Sequence, residues 1–147
     1  AEYREACRID PANAEAHFNL GMTLFQHGIQ AEGISESQKA FDLQPSNISI
    51  ANNLAWMLAT APQADLRNGA RAVEIEEKIN QSTGGNEPLI LRTLAAAYAE
   101  NSQFSKAVQT AQKALQLEEA APNSALAQAL RREIDLYANG QRFEEPQ

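Results

Sequence analysis

Apolar residues recur along this chain at the i, i+3, i+4, i+7 spacing that places them on one side of a helix, most plainly as Ala51, Leu54, Ala55 and Leu58. The pattern repeats at longer range. Asn19-Leu20-Gly21 with Leu24 returns 34 residues later as Asn53-Leu54-Ala55 with Leu58, and 40 residues after that as Thr93-Leu94-Ala95 with Tyr98. The second unit is therefore longer than the first by six residues. Each copy is followed by another apolar helix pattern: Gly33 to Phe41, Ala72 to Ile79, and Ala107 to Leu115. Pro45, Pro88 and Pro122 close the units, since proline lacks a donor and clashes with the preceding turn.

Punctuation marks the same boundaries. Asn13, Asn47 or Ser46, Asn68, Asn86, Ser102 or Ser105, and Asn123 or Ser124 stand where a side-chain oxygen can accept an orphan backbone N–H. Gly28, Gly84-Gly85 and Gly140 stand where a helix ends on a left-handed residue. Helices are predicted near 2–9, 14–27, 31–43, 48–60, 69–82, 87–100, 104–118 and 124–139, with no strand.

These residues resemble the tetratricopeptide-repeat family over almost the whole chain. The resemblance implies an all-α right-handed superhelix of antiparallel helix pairs with a C-terminal capping helix. It divides a single domain, 1–147, into a second helix of an incomplete repeat (1–12), repeat one (13–46), an enlarged repeat two (47–87), repeat three (88–122), and a capping helix and tail (123–147). The departures are His17 and Ala51 where the family often has Trp, and Ser37 and Glu76 where an apolar or aromatic residue is usual. Tyr3, Ala6 and Pro11 relate to one another as Ser37, Ala40 and Pro45 do. The expectation is the C-terminal part of a longer, bacterial array, exposed around Tyr3, Ala6 and Cys7. In the last helix, Leu126, Leu130, Ile134 and Tyr137 form the apolar stripe, and Arg131, Arg132, Glu133 and Asp135 the solvated one.

Composition narrows the functions. The chain has 147 residues, 44% hydrophobic and 21% charged, with a formal net charge of −7. That sign opposes binding to nucleic acid or anionic membrane. No apolar run approaches the roughly 18 residues that would cross a bilayer, so no direct membrane insertion is expected. The expectation is a soluble domain, cytoplasmic or periplasmic, with the compartment open. Cys7 is the only cysteine, which excludes an intrachain disulfide and a thiolate metal cluster. His17 and His27 lie about 80° apart on a helix, unlike a stacked metal pair. No activated nucleophile or phosphate-binding loop occurs, and the pairs Glu76-Glu77, Glu118-Glu119 and Glu144-Glu145 read as solvated faces. Neither an enzyme activity nor a metal or other cofactor is expected. Asn47-Ile48-Ser49 and Asn80-Gln81-Ser82 match the glycosylation pattern by chance.

The resemblance places a binding groove along the first helices. In register with the stripe beside Ala51 and Leu54, the first unit contributes Glu15, Phe18, Asn19, Met22 and Gln26. The second contributes Ser49, Asn52, Asn53, Trp56 and Thr60, and the third Leu89, Arg92, Thr93, Ala96 and Glu100. Asn19 and Asn53 resemble the asparagine ladder with which O-GlcNAc transferases hold extended peptides, an amide both donating to and accepting from a peptide backbone. Phe18, Met22 and Trp56 supply apolar area of the kind found in binding hot spots. Phe18 and Leu89 replace the basic residues of a dicarboxylate clamp, arguing against an acidic chaperone tail. The leading expectation is a scaffold that binds a protein or peptide without chemistry. Two others stand beside it. The second unit resembles repeats of large bacterial proteins, some with glycosyltransferase-like membrane domains, implying an accessory module of an enzyme. Alternatively, the N-terminal face pairs two copies as a homodimer.

Overall fold

A computed structural model describes residues 2–146. It contains α1 (Glu2–Ile9), α2 (Ala14–Gln26), α3 (Gln30–Leu43), α4 (Ile48–Thr60), α5 (Gly69–Ser82), α6 (Pro88–Glu100), α7 (Phe104–Leu117) and α8 (Ala125–Ala138), with no strand among the described residues. One short 3-10 turn, Ala64–Leu66, lies between α4 and α5. None of these helices is long and apolar enough to cross a membrane.

Four helices begin on the caps that the sequence suggests. The side chains of Asn13, Asn47, Asn68 and Ser124 accept from the backbone N–H of Ala16, Ile50, Arg71 and Ala127 at 2.9, 3.3, 3.1 and 3.0 Å. Two beginnings differ. Asn86 does not cap α6, which starts at Pro88, a residue preset for the first helical turn. Neither Ser102 nor Ser105 caps α7; Ser102 instead turns the chain in the left-handed region at φ 58°. Gly28, Gly84, Gly85 and Gly140 all have positive φ, so the left-handed residue after α2, α5 and α8 is a glycine, whereas after α6 it is Ser102.

Consecutive helices pack against each other, and α4 also lies against α6 and α2. The first helices of the hairpins thus stand side by side. Ala51, Leu54, Ala55 and Leu58 are buried with Ala72, Ile75 and Ile79 of α5, as the apolar spacing requires. The tightest crossing is that of α2 on α3. A Cβ on Gly21 would meet the Gly33 carbonyl oxygen at 2.8 Å and the Ser37 backbone nitrogen at 2.9 Å. Gly21→Ala is therefore expected to separate these helices and destabilise the fold by about 1–3 kcal/mol. Urea unfolding checks this, and an unchanged midpoint would contradict the close approach.

Two acidic residues read as solvated from the sequence are not. Glu76 is fully buried at an apolar position of α5, and neither carboxyl oxygen has a hydrogen-bond partner. Burial pushes its pKa up to about 9, so at neutral pH the uncharged acid fills the core. Glu133 is also buried, because α8 turns it toward α6 while Arg131, Arg132 and Asp135 stay exposed. Other polar groups are partly drawn in. Glu77 is half-buried and accepts from the Tyr98 hydroxyl at 2.7 Å; burial, followed by this carboxylate, pushes the phenol up to about 12. Ser37, at the other unusual position, donates to Met57 Sδ at 3.3 Å. On α1, Tyr3 is exposed and Ala6 and Cys7 are half-buried.

Candidate functional site

The adjacent stripe of α4 carries the site. With Leu54 and Leu58 facing α5, the helix turns Trp56 toward α6 and leaves it half-buried. The guanidinium of Arg92 from α6 lies 4.4 Å from the Trp56 ring centroid, within range of cation–π attraction. Glu133 holds Arg92 in place from α8. Arg92 Nε donates at 3.0 and 3.1 Å to the two carboxylate oxygens, and Nη2 donates to Oε1 at 2.5 Å. Trp56, Arg92 and Glu133 thus link α4, α6 and α8 in one line, with the carboxylate almost entirely excluded from water.

After α8, Gly140 at φ 68° turns the chain back over this line. The Phe143 ring lies 5.6 Å from that of Trp56 at an interplanar angle of 38°, and 6.0 Å from the Arg92 guanidinium carbon. The Glu145 backbone N–H donates to the Thr60 carbonyl at 2.8 Å, while Trp56 Nε1–H donates to Glu145 Oε1 at 2.7 Å. A short stretch of chain outside any helix is therefore seated on the first-helix face.

Five of the six additional residues of the second hairpin lie in the connection between α4 and α5, which forms one edge of that seat and in which the Arg67 side chain is only 3% exposed. Its Nη1 donates to the Ala61 carbonyl at 2.7 Å and lies 3.5 Å from Glu144 Oε1. Its Nε stands 3.1 Å from Glu100 Oε2, an ion-pair distance outside hydrogen-bond alignment. Arg142 approaches the same Glu100 oxygen at 3.6 Å.

The remaining expected groove residues divide among separate depressions. Met22, Gln26, Asn53 and Trp56 line a cavity of about 440 Å³ with Phe25, Gln30, Met57, Pro62, Glu145 and Pro146. Gln30 Oε1 is buried there without a hydrogen-bond partner. Glu15, Phe18, Asn19 and Ser49 line a second depression, beside Gln44 and Asn47. Ser49, Asn52, Asn53 and Leu89 line a third. Asn19 and Asn53 thus line different depressions, and Asn53 Nδ2 already donates to the Ser49 carbonyl at 2.8 Å.

Four expected groove positions are corrected. Thr60, Thr93 and Ala96 are buried, because the C-terminal end of α4 and most of α6 are covered by neighbouring helices. The hydroxyls of Thr60 and Thr93 donate to carbonyls of their own helices, although the Thr60 backbone carbonyl does reach the groove. Glu100 is drawn to Arg67 and Arg142 instead of presenting a free carboxylate. Conversely, Phe143, Glu145 and Arg67 were not anticipated. An isolated aromatic in a polar stretch after Gly140 is the one sequence signal for the first of these.

A second cluster lies at the α1–α2–α3 junction. One ligand-type atom from each of Cys7, His17 and Glu36 falls within 4.8 Å of the others, although spacing along the chain gives no hint of it. His17 Nδ1 is 2.5 Å from Glu36 Oε2, and Nε2 is 3.1 Å from the Pro11 carbonyl. Lys39 Nζ donates to the other Glu36 oxygen at 2.7 Å. Burial raises the Glu36 pKa, but the hydrogen bonds from Lys39 and His17 outweigh it and hold the carboxyl below its usual range. Burial pushes the Cys7 thiol up. Both ring nitrogens and both carboxylate oxygens already have protein partners, so the arrangement is a self-satisfied polar network.

Among known families, one described as TPR repeat matches residues 1–28, which hold α1, α2 and the turn after them. No curated protein matches the chain.

Proposed function

The all-helical hairpin array and the match over residues 1–28 fit the tetratricopeptide-repeat family, and from that premise we propose that this chain is a scaffold that holds an extended segment of a partner protein along its first helices, with no chemical step of its own. Repeats of this kind generally mediate protein–protein interaction. The observation that carries the reading is the cavity of about 440 Å³ between α2 and α4. It combines apolar walls from Met22, Phe25 and Met57 with the polar side chains of Gln26 and Asn53, the mixture of apolar surface and a few polar groups that suits a peptide. Asn53 keeps its Oδ1 free of intramolecular bonds while its amide nitrogen is fixed, so it is set to accept from a peptide N–H.

The test is an array of extended peptides probed with the natural chain and with Met22→Glu and Asn53→Ala. Met22→Glu places a charge in the apolar wall and is expected to weaken binding at least tenfold; Asn53→Ala is expected to weaken it several-fold. Full binding by both variants would remove the groove from consideration.

A further inference from the structure

We propose that residues Arg142–Glu145 act as an internal pseudo-ligand, and that their chemistry identifies the partner as a protein segment bearing an aromatic residue followed two positions later by Asp or Glu. The inference rests on the groove reading above and gives the missing ligand a sequence pattern.

The groove has three needs at this point, each set by a different atom. Trp56 offers a ring face and an indole N–H that can only donate, so it calls for another ring and an acceptor. Thr60 closes α4, and its carbonyl has no partner within the helix, so it calls for an N–H. Arg67, paired through Nε with Glu100 at 3.1 Å, brings a buried positive charge to the rim that a second carboxylate can approach. Phe143 and Glu145 together answer the first need, the ring at 5.6 Å and the Glu145 carboxylate accepting from Trp56 Nε1 at 2.7 Å, and the Glu145 backbone N–H answers the second by donating to Thr60 O at 2.8 Å. Glu144 supplies the carboxylate near Arg67 at 3.5 Å. The ring and the doubly bonded residue are two positions apart, which in extended chain puts them on the same side.

The segment is held in a manner that permits exchange. Its one backbone hydrogen bond to the groove is that of Glu145, and Gln141, Arg142, Glu144 and Pro146 are exposed. It competes because only Gln141 and Arg142 separate the Gly140 pivot from Phe143's seat, giving an effective concentration on the order of millimolar or above. Glu145 and Pro146 line the same cavity as Met22 and Gln30, so an occupant of this seat reaches that cavity as well.

The experiment uses the full chain, its Phe143→Ala and Glu145→Lys variants, and a fluorescein-labelled peptide Gln-Arg-Phe-Glu-Glu-Pro copied from residues 141–146. Fluorescence anisotropy is expected to show at least tenfold tighter peptide binding by either variant than by the intact chain, with circular dichroism confirming that both are folded. Replacing the peptide's Phe by Ala, or its second Glu by Gln, is expected to lower affinity for the variants at least tenfold. Equal affinity of intact chain and variants would overturn the proposal, since the segment would then not compete. Folded variants that bind no peptide would overturn it too, making the segment a fixed part of the fold. If array peptides still bind through Met22 and Asn53 in that case, the groove reading survives alone; if they do not, both fall. The Glu145→Lys variant keeps the test decisive should Phe143→Ala unfold the chain.

Discussion

Glu76→Met is expected to stabilise the chain by about 3 kcal/mol at pH 7 and to remove a pH dependence that the natural protein shows between roughly pH 4.5 and 9. The sign follows from the direction of the shift. Burial raises the folded-state pKa from 4.5 to about 9, so the folded protein keeps a proton that the unfolded chain releases. This group's contribution to stability is complete below about pH 4.5 and is lost progressively as pH rises through about 9. At pH 7 the loss is about 1.4 kcal/mol for each of the 2.5 pH units above the unfolded value. Methionine has similar volume, keeps the contacts with the α5 core and leaves no orphan oxygen. Urea unfolding at pH 5 and pH 8.5 checks the prediction. A difference between natural chain and variant that stays the same at both pH values would show that Glu76 is not a buried neutral acid.

Arg92→Ala is expected to cost more, about 3–5 kcal/mol, because it strands the Glu133 carboxylate away from water and also removes the cation over Trp56. The double variant Arg92→Leu/Glu133→Leu is expected to lose considerably less than Arg92→Ala, since two apolar side chains leave no uncompensated charge. Equilibrium urea unfolding of the three proteins is the measurement. A double variant that loses as much as Arg92→Ala would mean that the stranded carboxylate is not what makes the single change costly.

The helices were legible in the sequence because their determinants are local: the spacing around Leu54, cap residues such as Asn13 and Asn68, and the positive-φ glycines act within a turn or two. Helix ends accordingly fall within about one residue of expectation. Which first-helix positions are accessible was legible in part. Phe18, Met22, Asn53 and Trp56 lie on accessible first-helix surface, but Thr93 and Ala96 do not, because transferring the α4 register onto α6 ignores the neighbours that enclose α6. Glu76 had a visible warning, standing four residues after Ala72 and three before Ile79 on one helix face. Its charge argued for solvent, and the apolar stripe prevailed. The six-residue enlargement was countable, but nothing local announced that it would carry Arg67 to the rim. The seat of residues 142–145 was invisible for a similar reason: four residues have no period, and their partners are far away in sequence.

That distance bears on how the array comes apart. In a stack where each hairpin touches only its neighbours, unfolding can start at either end and spread one unit at a time. The bond between Trp56 and Glu145 joins residues 89 positions apart. With it in place, α8 cannot fray while the second hairpin remains intact without breaking the clasp on α4. The part of the molecule from α4 onward is therefore expected to behave as a closed loop and melt as one cooperative unit while the clasp is seated, whereas α1 to α3 retain the piecemeal freedom of an ordinary stack.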